Sequence, residues 1–287
     1  MATRVVLITG ASSGFGQATA LAFARKGDAV YASMREPGKG GMLAAQSARE
    51  KLPITILPLD VIDKPSIHSA VERIVDLEGR IDVLVNNAGI HLLGAIEDMP
   101  EPELRRVMET NFFGLLHVTR TVLPAMRRQR SGRIIMISSI GAMIGRAGDA
   151  VYCASKSALE GAAEGLRFEV APFGISVSVI EPGAFRTGLV DKFELSKDYP
   201  PASPYRALIE FRLEKVIEAC TNGDDPERVA NLVVEVAGTD SPAFRYPAGA
   251  QAEDVLSRLK RMNEQQRHEF IRDAAKLDWW LSGRDRP

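Results

Sequence analysis

The sequence is poor in cysteine, in net charge and in long apolar runs, and each shortage removes a class of protein. Its two cysteines, Cys153 and Cys220, stand far apart, with no Cys-x-x-Cys pair and no Cys/His cluster. A disulfide scaffold and a structural zinc site are therefore excluded, no metal is expected, and a reducing compartment is the default. Lys and Arg number 36 against 37 Asp and Glu, a formal charge of −1. Without an overall positive field, neither nucleic acid nor an anionic membrane surface is an expected partner. The short basic run Arg127-Arg128-Gln129-Arg130 reads as the charged end of a helix, where cations meet the negative dipole terminus. Residues 5–24 carry no charge, but Val5-Val6-Leu7-Ile8 is brief and Thr9-Gly10-Ala11-Ser12-Ser13-Gly14 is turn chemistry. That stretch fits neither a leader nor a membrane span, so a cytoplasmic location is expected.

What the chain does have is alternation. Short apolar, β-branched runs at 4–9, 29–33, 54–58, 83–86, 133–138 and 175–180, with a weaker one at 244–246, are separated by amphipathic segments near 15–26, 39–51, 65–78, 102–128, 152–171 and 226–238. Strands apolar throughout are buried on both faces, and their alternation with helices is the mark of a parallel, doubly wound sheet. The expected fold is α/β: a three-layer α/β/α Rossmann architecture with about seven strands and right-handed crossovers. Residues 1–249 form one domain in this reading. A Pro-rich insertion over 184–222, with a helix near 206–220, follows the sixth strand and reads as a substrate lid. Residues 250–287 read as an appended extension of one or two surface helices that covers the pocket or a subunit interface, ending in Trp279-Trp280, which caps the core or meets another subunit.

Directly after the first strand stands Thr9-Gly10-Ala11-Ser12-Ser13-Gly14-Phe15-Gly16. Glycines there permit a tight turn and close approach of a pyrophosphate to N–H groups at a helix N-terminus. At the end of the second strand, Met34 occupies the place of a ribose-binding acid and Arg35 follows it, which favours NADP(H) over NAD(H). NAD(H) stays possible if Glu36 is the ribose ligand. Asn86-Asn87-Ala88-Gly89 follows the fourth strand. Asn111 lies inside a helical segment where Asn is a poor helix former, so a kink or a working side chain is expected. Tyr152 and Lys156, four apart, share one helix face, and Ser139 lies thirteen residues earlier at the end of the fifth strand. Bringing a phenol from a pKa near 10 to about 7 takes roughly 4 kcal/mol, which a neighbouring Lys and a cationic nicotinamide ring can share.

Taken together, these elements resemble the short-chain dehydrogenase/reductase family. The matching residues are Thr9-Gly10-x-x-x-Gly14-x-Gly16, Asp60, Asn86-Asn87-Ala88-Gly89, Asn111, Ser139, Tyr152-x-x-x-Lys156 and Pro182-Gly183 with Thr187. The second strand, Val30 to Arg35, is similar to that of the NADP-dependent steroid- and retinoid-active members. The resemblance implies that Tyr152 is the general acid or base. Lys156 lowers its pKa and holds the nicotinamide ribose, Ser139 donates to the substrate oxygen, and Asn111 anchors a water. It also implies cofactor contacts from Gly10, Ser12, Ser13, Gly14, Phe15, Gly16, Arg35, Asp60, Val61, Asn87, Ala88, Gly89, Pro182, Gly183 and Thr187. Family members usually dimerise or tetramerise through helices corresponding to 102–128 and 152–171, so a homodimer or homotetramer is implied. Other members carry a basic residue where Ser13 stands, which leaves Arg35 to select the cofactor.

The expected reaction interconverts a lipophilic ketone or aldehyde and its alcohol. An NAD-dependent secondary-alcohol dehydrogenase is the nearest alternative. A catalytically silent dinucleotide-binding regulator is the alternative of another class, disfavoured because Asn111, Ser139, Tyr152 and Lys156 are all present. Substrate candidates are Ser139, His91, Ile140, Met143, Phe185 and Leu189, with Ile90, Ala142, Arg146 and Tyr205 nearby, chosen for their places at strand ends or in the lid. Of these, His91 reads as a surface loop side chain, with a second acid as its other option. Arg146 reads as a solvated one, with a substrate carboxylate as its other option. Cys153 reads as a small helix-packing residue.

Overall fold

In the computed structural model, residues 3–187, 194–196, 202–284 and 286 are described. The main sheet has the order β3-β2-β1-β4-β6-β7-β9, every neighbour parallel. Its strands are β1 (Val5–Ile8), β2 (Ala29–Met34), β3 (Ile54–Pro58), β4 (Val83–Asn86), β6 (Gly132–Ile137), β7 (Ile175–Pro182) and β9 (Arg245–Ala248). The seven expected strands are all there, and the doubly wound class follows from their order.

The reason lies in the period of the strands. Val5 and Leu7 join Leu84, Ile134, Met136, Val177 and Val179 in one apolar cluster, while Val6 and Ile8 join Val83, Val85, Ile135, Ile137 and Ile180 in another. Successive side chains point to opposite faces, so a run apolar at every position needs cover on both. The first face is covered by α3 (Lys64–Glu78), α5 (Gly114–Gln129) and α6 (Ala150–Val170). The second is covered by α1 (Gly14–Arg25), α2 (Gly41–Glu50) and α8 (Glu227–Gly238). Each fully buried Leu, Ile or Val contributes about 1.5–3 kcal/mol.

Three departures from the sequence reading bear on the site. The single helix expected over 102–128 is divided into α4 (Glu101–Met108), a π-helical turn at Glu109–Phe113 and α5, with Asn111 fully buried in the turn. A small parallel pair, β5 (Leu92–Leu93) with β8 (Glu194–Leu195), was not legible; it ties the 184–222 insertion to the loop after β4. The extension has three helices where one or two were expected. It forms α9 (Ala250–Leu259), α10 (Glu264–Ala275) and α11 (Asp278–Leu281). Ala252, Leu256 and Leu259 pack with Ile140 and Ile144 beside the end of β6. A reciprocal Asn263–Gln266 capping box starts α10, and Trp279 is buried edge-on against Phe211 of α7 (Arg206–Thr221). No helix among the described residues is long and apolar enough to cross a membrane.

Candidate active site

At the carboxyl ends of β1, β4, β6 and β7 the chain opens a crevice at the point where strand order reverses, the usual ligand position in such sheets. The loop after β1 is held by the loop after β4. Thr9 Oγ1 accepts the N–H groups of Asn87 and Ala88 at 3.0 Å, and Asn87 Nδ2 donates to the carbonyls of Thr9 and Gly10 at 2.9 and 3.0 Å. Gly10 has φ +68°, and a β-carbon on it would lie 2.8 Å from Ala88 Cα. A β-carbon on Gly16 would lie 2.5 Å from Asn87 Nδ2. Both positions therefore require glycine, and the Asn87 amide donors are spent holding the loop against β4. Ser12, Ser13, Gly14 and Phe15 complete this turn into α1. Thr187 lies beside Gly14, and the Phe15 and Phe185 rings meet edge-on at 5.2 Å.

Arg35 is exposed just past β2. Glu36 is turned to Lys39 at 2.6 Å, and that ion pair holds its carboxyl below the usual range. Asp60 accepts the Ile62 N–H at 3.2 Å, in a turn that leaves Val61 buried.

The reactive end is built from α6 and its neighbours. Tyr152 and Lys156 lie one turn apart, and Lys156 Nζ donates to Ile137 O at 2.9 Å. Burial pushes the Lys156 ammonium down to about 8. Burial also pushes the Tyr152 phenol up to about 12, against the opposing pull of a hydrogen bond with Ser139 and the charge of Arg146. The chain by itself thus moves the phenol away from 7 and keeps it protonated. Ser139 Oγ accepts the Gly141 N–H at 3.0 Å, which leaves its own hydrogen for the Tyr152 oxygen or for a ligand.

Asn111 joins two loops to this helix. Its side chain accepts from Ile90 N at 2.8 Å, donates to Ile90 O at 2.9 Å and donates to Ser155 Oγ at 3.0 Å. Ser155 in turn donates to Tyr152 O at 2.7 Å. A β-carbon on Gly89 would lie 3.3 Å from Asn111 Oδ1 and 3.6 Å from Lys156 Nζ, so this glycine leaves room beside both.

Two loop residues depart from the sequence reading. His91 is buried rather than exposed: its ring stacks on Tyr152 at 4.0 Å and its Nε2 bonds Asp149 Oδ1. Arg146, expected in solvent, pairs with Asp149 at 2.7 Å, and Arg212 of α7 reaches the same carboxylate at 3.0 Å. Asp149 stands where an N-cap of α6 would, but its side chain caps no amide. Burial would raise its pKa, yet Arg146, His91 and Arg212 outweigh it and hold the carboxyl far below its usual value. Asp149, Ser155 and Arg212 escaped sequence reading because each acts through residues distant in the chain.

A cavity of about 220 Å³ opens beside Tyr152 and Ser139. Its wall includes His91, Ile140, Phe185, Pro182, Gly183 and Thr187 from the expected set, together with Val216 of α7, Val255 of α9 and Phe270 and Ile271 of α10, which were not expected. Met143 is not on that wall; its side chain packs with the Ile140, Leu256 and Leu259 cluster. Tyr205 bonds Glu97 at 2.6 Å instead of entering the cavity. Leu189 lies outside the described residues. Among the described residues, no group of three His, Cys, Asp or Glu side chains is placed to hold a metal ion.

The family model for short chain dehydrogenase matches residues 4–198. The chain belongs to this family. It is an oxidoreductase acting on CH–OH and C=O groups. It is 36% identical over 261 residues to the 3-ketodihydrosphingosine reductase of Bacteroides thetaiotaomicron, covering 91% of this chain and 93% of that one. It is 37% identical to retinol dehydrogenase 8 of Bos taurus, over 91% of this chain and 86% of the relative. The solved structure of a short-chain dehydrogenase from Streptomyces avermitilis superposes with a TM-score of 0.80 at 34% identity, covering 99% of this chain and all of that one.

Proposed function

We propose that this oxidoreductase is NADP(H)-dependent and interconverts a lipophilic ketone or aldehyde with the corresponding alcohol, Tyr152 being the general acid and base. The observation that carries the reading is that Tyr152 and Ser139 line one largely apolar cavity with Pro182, Gly183 and Thr187. The residues fit a dinucleotide. Gly10, Ser12, Ser13, Gly14, Phe15 and Gly16 would receive the pyrophosphate, and Asp60 and Val61 the adenine. Asn87, Ala88 and Gly89 would shape the adenosine side, Lys156 would hold the ribose hydroxyls, and Pro182, Gly183 and Thr187 would border the nicotinamide. The exposed Arg35, with Glu36 drawn off to Lys39, suits a 2′-phosphate better than a bare ribose. When bound, NADPH would supply the hydride for reduction, and its oxidised form would take one up for oxidation of the alcohol.

Tyr152 gives its proton to the carbonyl oxygen during reduction; burial keeps the phenol protonated but weakens it as an acid, and the Ser139 hydrogen bond and the Arg146 charge oppose that weakening. Ser139 donates a hydrogen bond to the same oxygen. In the reverse direction the Lys156 charge favours the phenolate. General acid help of this kind is worth about 10² to 10⁴ in rate. A lipophilic substrate is supported by the apolar wall and by the two relatives, named for a sphingoid ketone and for retinol. Association through α6 and the π-helical turn that leads into α5 is supported by Phe168 and Phe113, which are 69% and 41% exposed.

The test is a panel of lipophilic ketones, aldehydes and alcohols offered with each cofactor. Tyr152→Phe should bind NADPH normally by fluorescence titration and lose turnover by about 10² or more. Turnover retained in that variant overturns the assignment of Tyr152.

A further inference from the structure

The cavity beside Tyr152 has both apolar and cationic side chains in its wall. Arg146, Arg212 and Lys215 all line it, together with Phe270, Ile271, Ala274 and Val255. Lys215 is neutralised by Glu218 at 2.6 Å. Arg146 and Arg212 both address the one fully buried carboxylate of Asp149, at 2.7 and 3.0 Å. Guanidiniums therefore exceed carboxylates by one at this end of the cavity. Arg146 Nε and Arg212 Nε are buried with no hydrogen-bond partner among the described residues. Such donors are costly to leave unmade. The excess also lies close to the chemistry. A β-carbon on Gly141 would sit 3.0 Å from Arg146 Nη2 and 3.3 Å from Ser139 Oγ, so the guanidinium reaches the neighbourhood of the hydroxyl that meets the substrate oxygen.

We propose that Arg146 and Arg212 form an anion subsite, and that the substrate is an amphipathic monoanion: a carbonyl or alcohol compound whose apolar body lies against α9 and α10 and whose carboxylate meets the two guanidiniums. A single excess positive charge matches a carboxylate, and the planar fork of Arg matches its geometry. The proposal rests on the oxidoreductase reading of Tyr152 and names the substrate class of that site.

The experiment compares medium-chain oxo compounds with NADPH, each offered as the free carboxylate and as its methyl ester. The acid should exceed the ester in kcat/KM by roughly 10- to 100-fold, the range expected for hydrogen bonds to charged groups. Arg212→Met and Arg146→Met should bring the acid-to-ester ratio close to one, and Arg212→Lys should retain an intermediate preference, which separates lost recognition from lost folding. An equal or reversed preference in the wild-type enzyme overturns the subsite and leaves the oxidoreductase reading intact. A parallel calorimetric titration of the wild-type and Arg212→Lys proteins with a saturated medium-chain carboxylate and the matching alcohol needs no turnover. If no carbonyl compound in the panel is reduced, the reading of Tyr152 fails, and tighter binding of the carboxylate than of the alcohol still upholds the anion subsite while equal binding overturns it.

Discussion

The His91 ring lies on the face of Tyr152, centroids 4.0 Å apart and planes 22° from parallel, while His91 Nε2 bonds the buried Asp149. A side chain at the loop after β4 therefore fixes the phenol of α6 laterally. His91→Ala removes the stack and should lower kcat by about 3- to 10-fold, the equivalent of an aromatic pair. His91→Phe keeps the stack and should lose much less. Steady-state kinetics on both variants decide this; equal losses would show that the bond to Asp149 matters and the stack does not.

Lys156 is a charged group buried with a single carbonyl as its hydrogen-bond partner among the described residues. Its folded pKa, about 8, lies below the ordinary 10.5. The unfolded chain therefore binds more protons between those values, so this group's destabilising effect is full below pH 8 and is relieved as pH rises towards 10.5. Lys156→Met should abolish turnover yet raise stability at pH 7 by about 1–3 kcal/mol, with the gain shrinking above pH 8. Denaturant unfolding at pH 7 and 9.5 tests it. A variant less stable at pH 7 would count against this account.

Asn111 fills a gap that a helix-compatible apolar residue cannot. Replacing it by Leu leaves Ile90 N–H, Ile90 C=O and Ser155 without their partner, a cost of about 1–3 kcal/mol per group left buried and unsatisfied. Asn111→Leu should lower the melting temperature and kcat together. Asn111→Asp, which keeps the acceptor for Ile90 N–H but loses two donations, should fall between. Thermal melts paired with kcat measure this; loss of activity at unchanged stability would assign Asn111 to chemistry alone.

Arg35 and Glu36 are neighbours with different fates, one exposed and the other tied to Lys39. Arg35→Ala should weaken NADPH by about 10-fold or more, the scale of a hydrogen bond to a charged group, and leave NADH almost unchanged. Fluorescence titration with both cofactors reads this directly. Equal weakening of the two would mean that Arg35 contributes general charge and does not select the 2′-phosphate.

Much of this enzyme was legible in its sequence because its signals are local. A strand apolar at every position must be covered on both faces, so the sheet class followed from runs such as Val5 to Ile8. Glycines 10, 14 and 16 between a strand and a helix announced a tight turn with no room for side chains at 10 and 16, and the four-residue spacing of Tyr152 and Lys156 put both on one helix face. Asn111 announced its kink through poor helix propensity. The rest depends on which distant segments meet, and no period or spacing encodes that. Arg212 reaches Asp149 from a helix 63 residues further along, His91 is buried only because α6 packs over it, and Phe270 enters the cavity only because α10 folds back. Sequence alone determined the sheet and the order of the candidate site residues along it. Tertiary packing decided the charge and the walls of the pocket, because burial and long-range ion pairs are properties of neighbours in space.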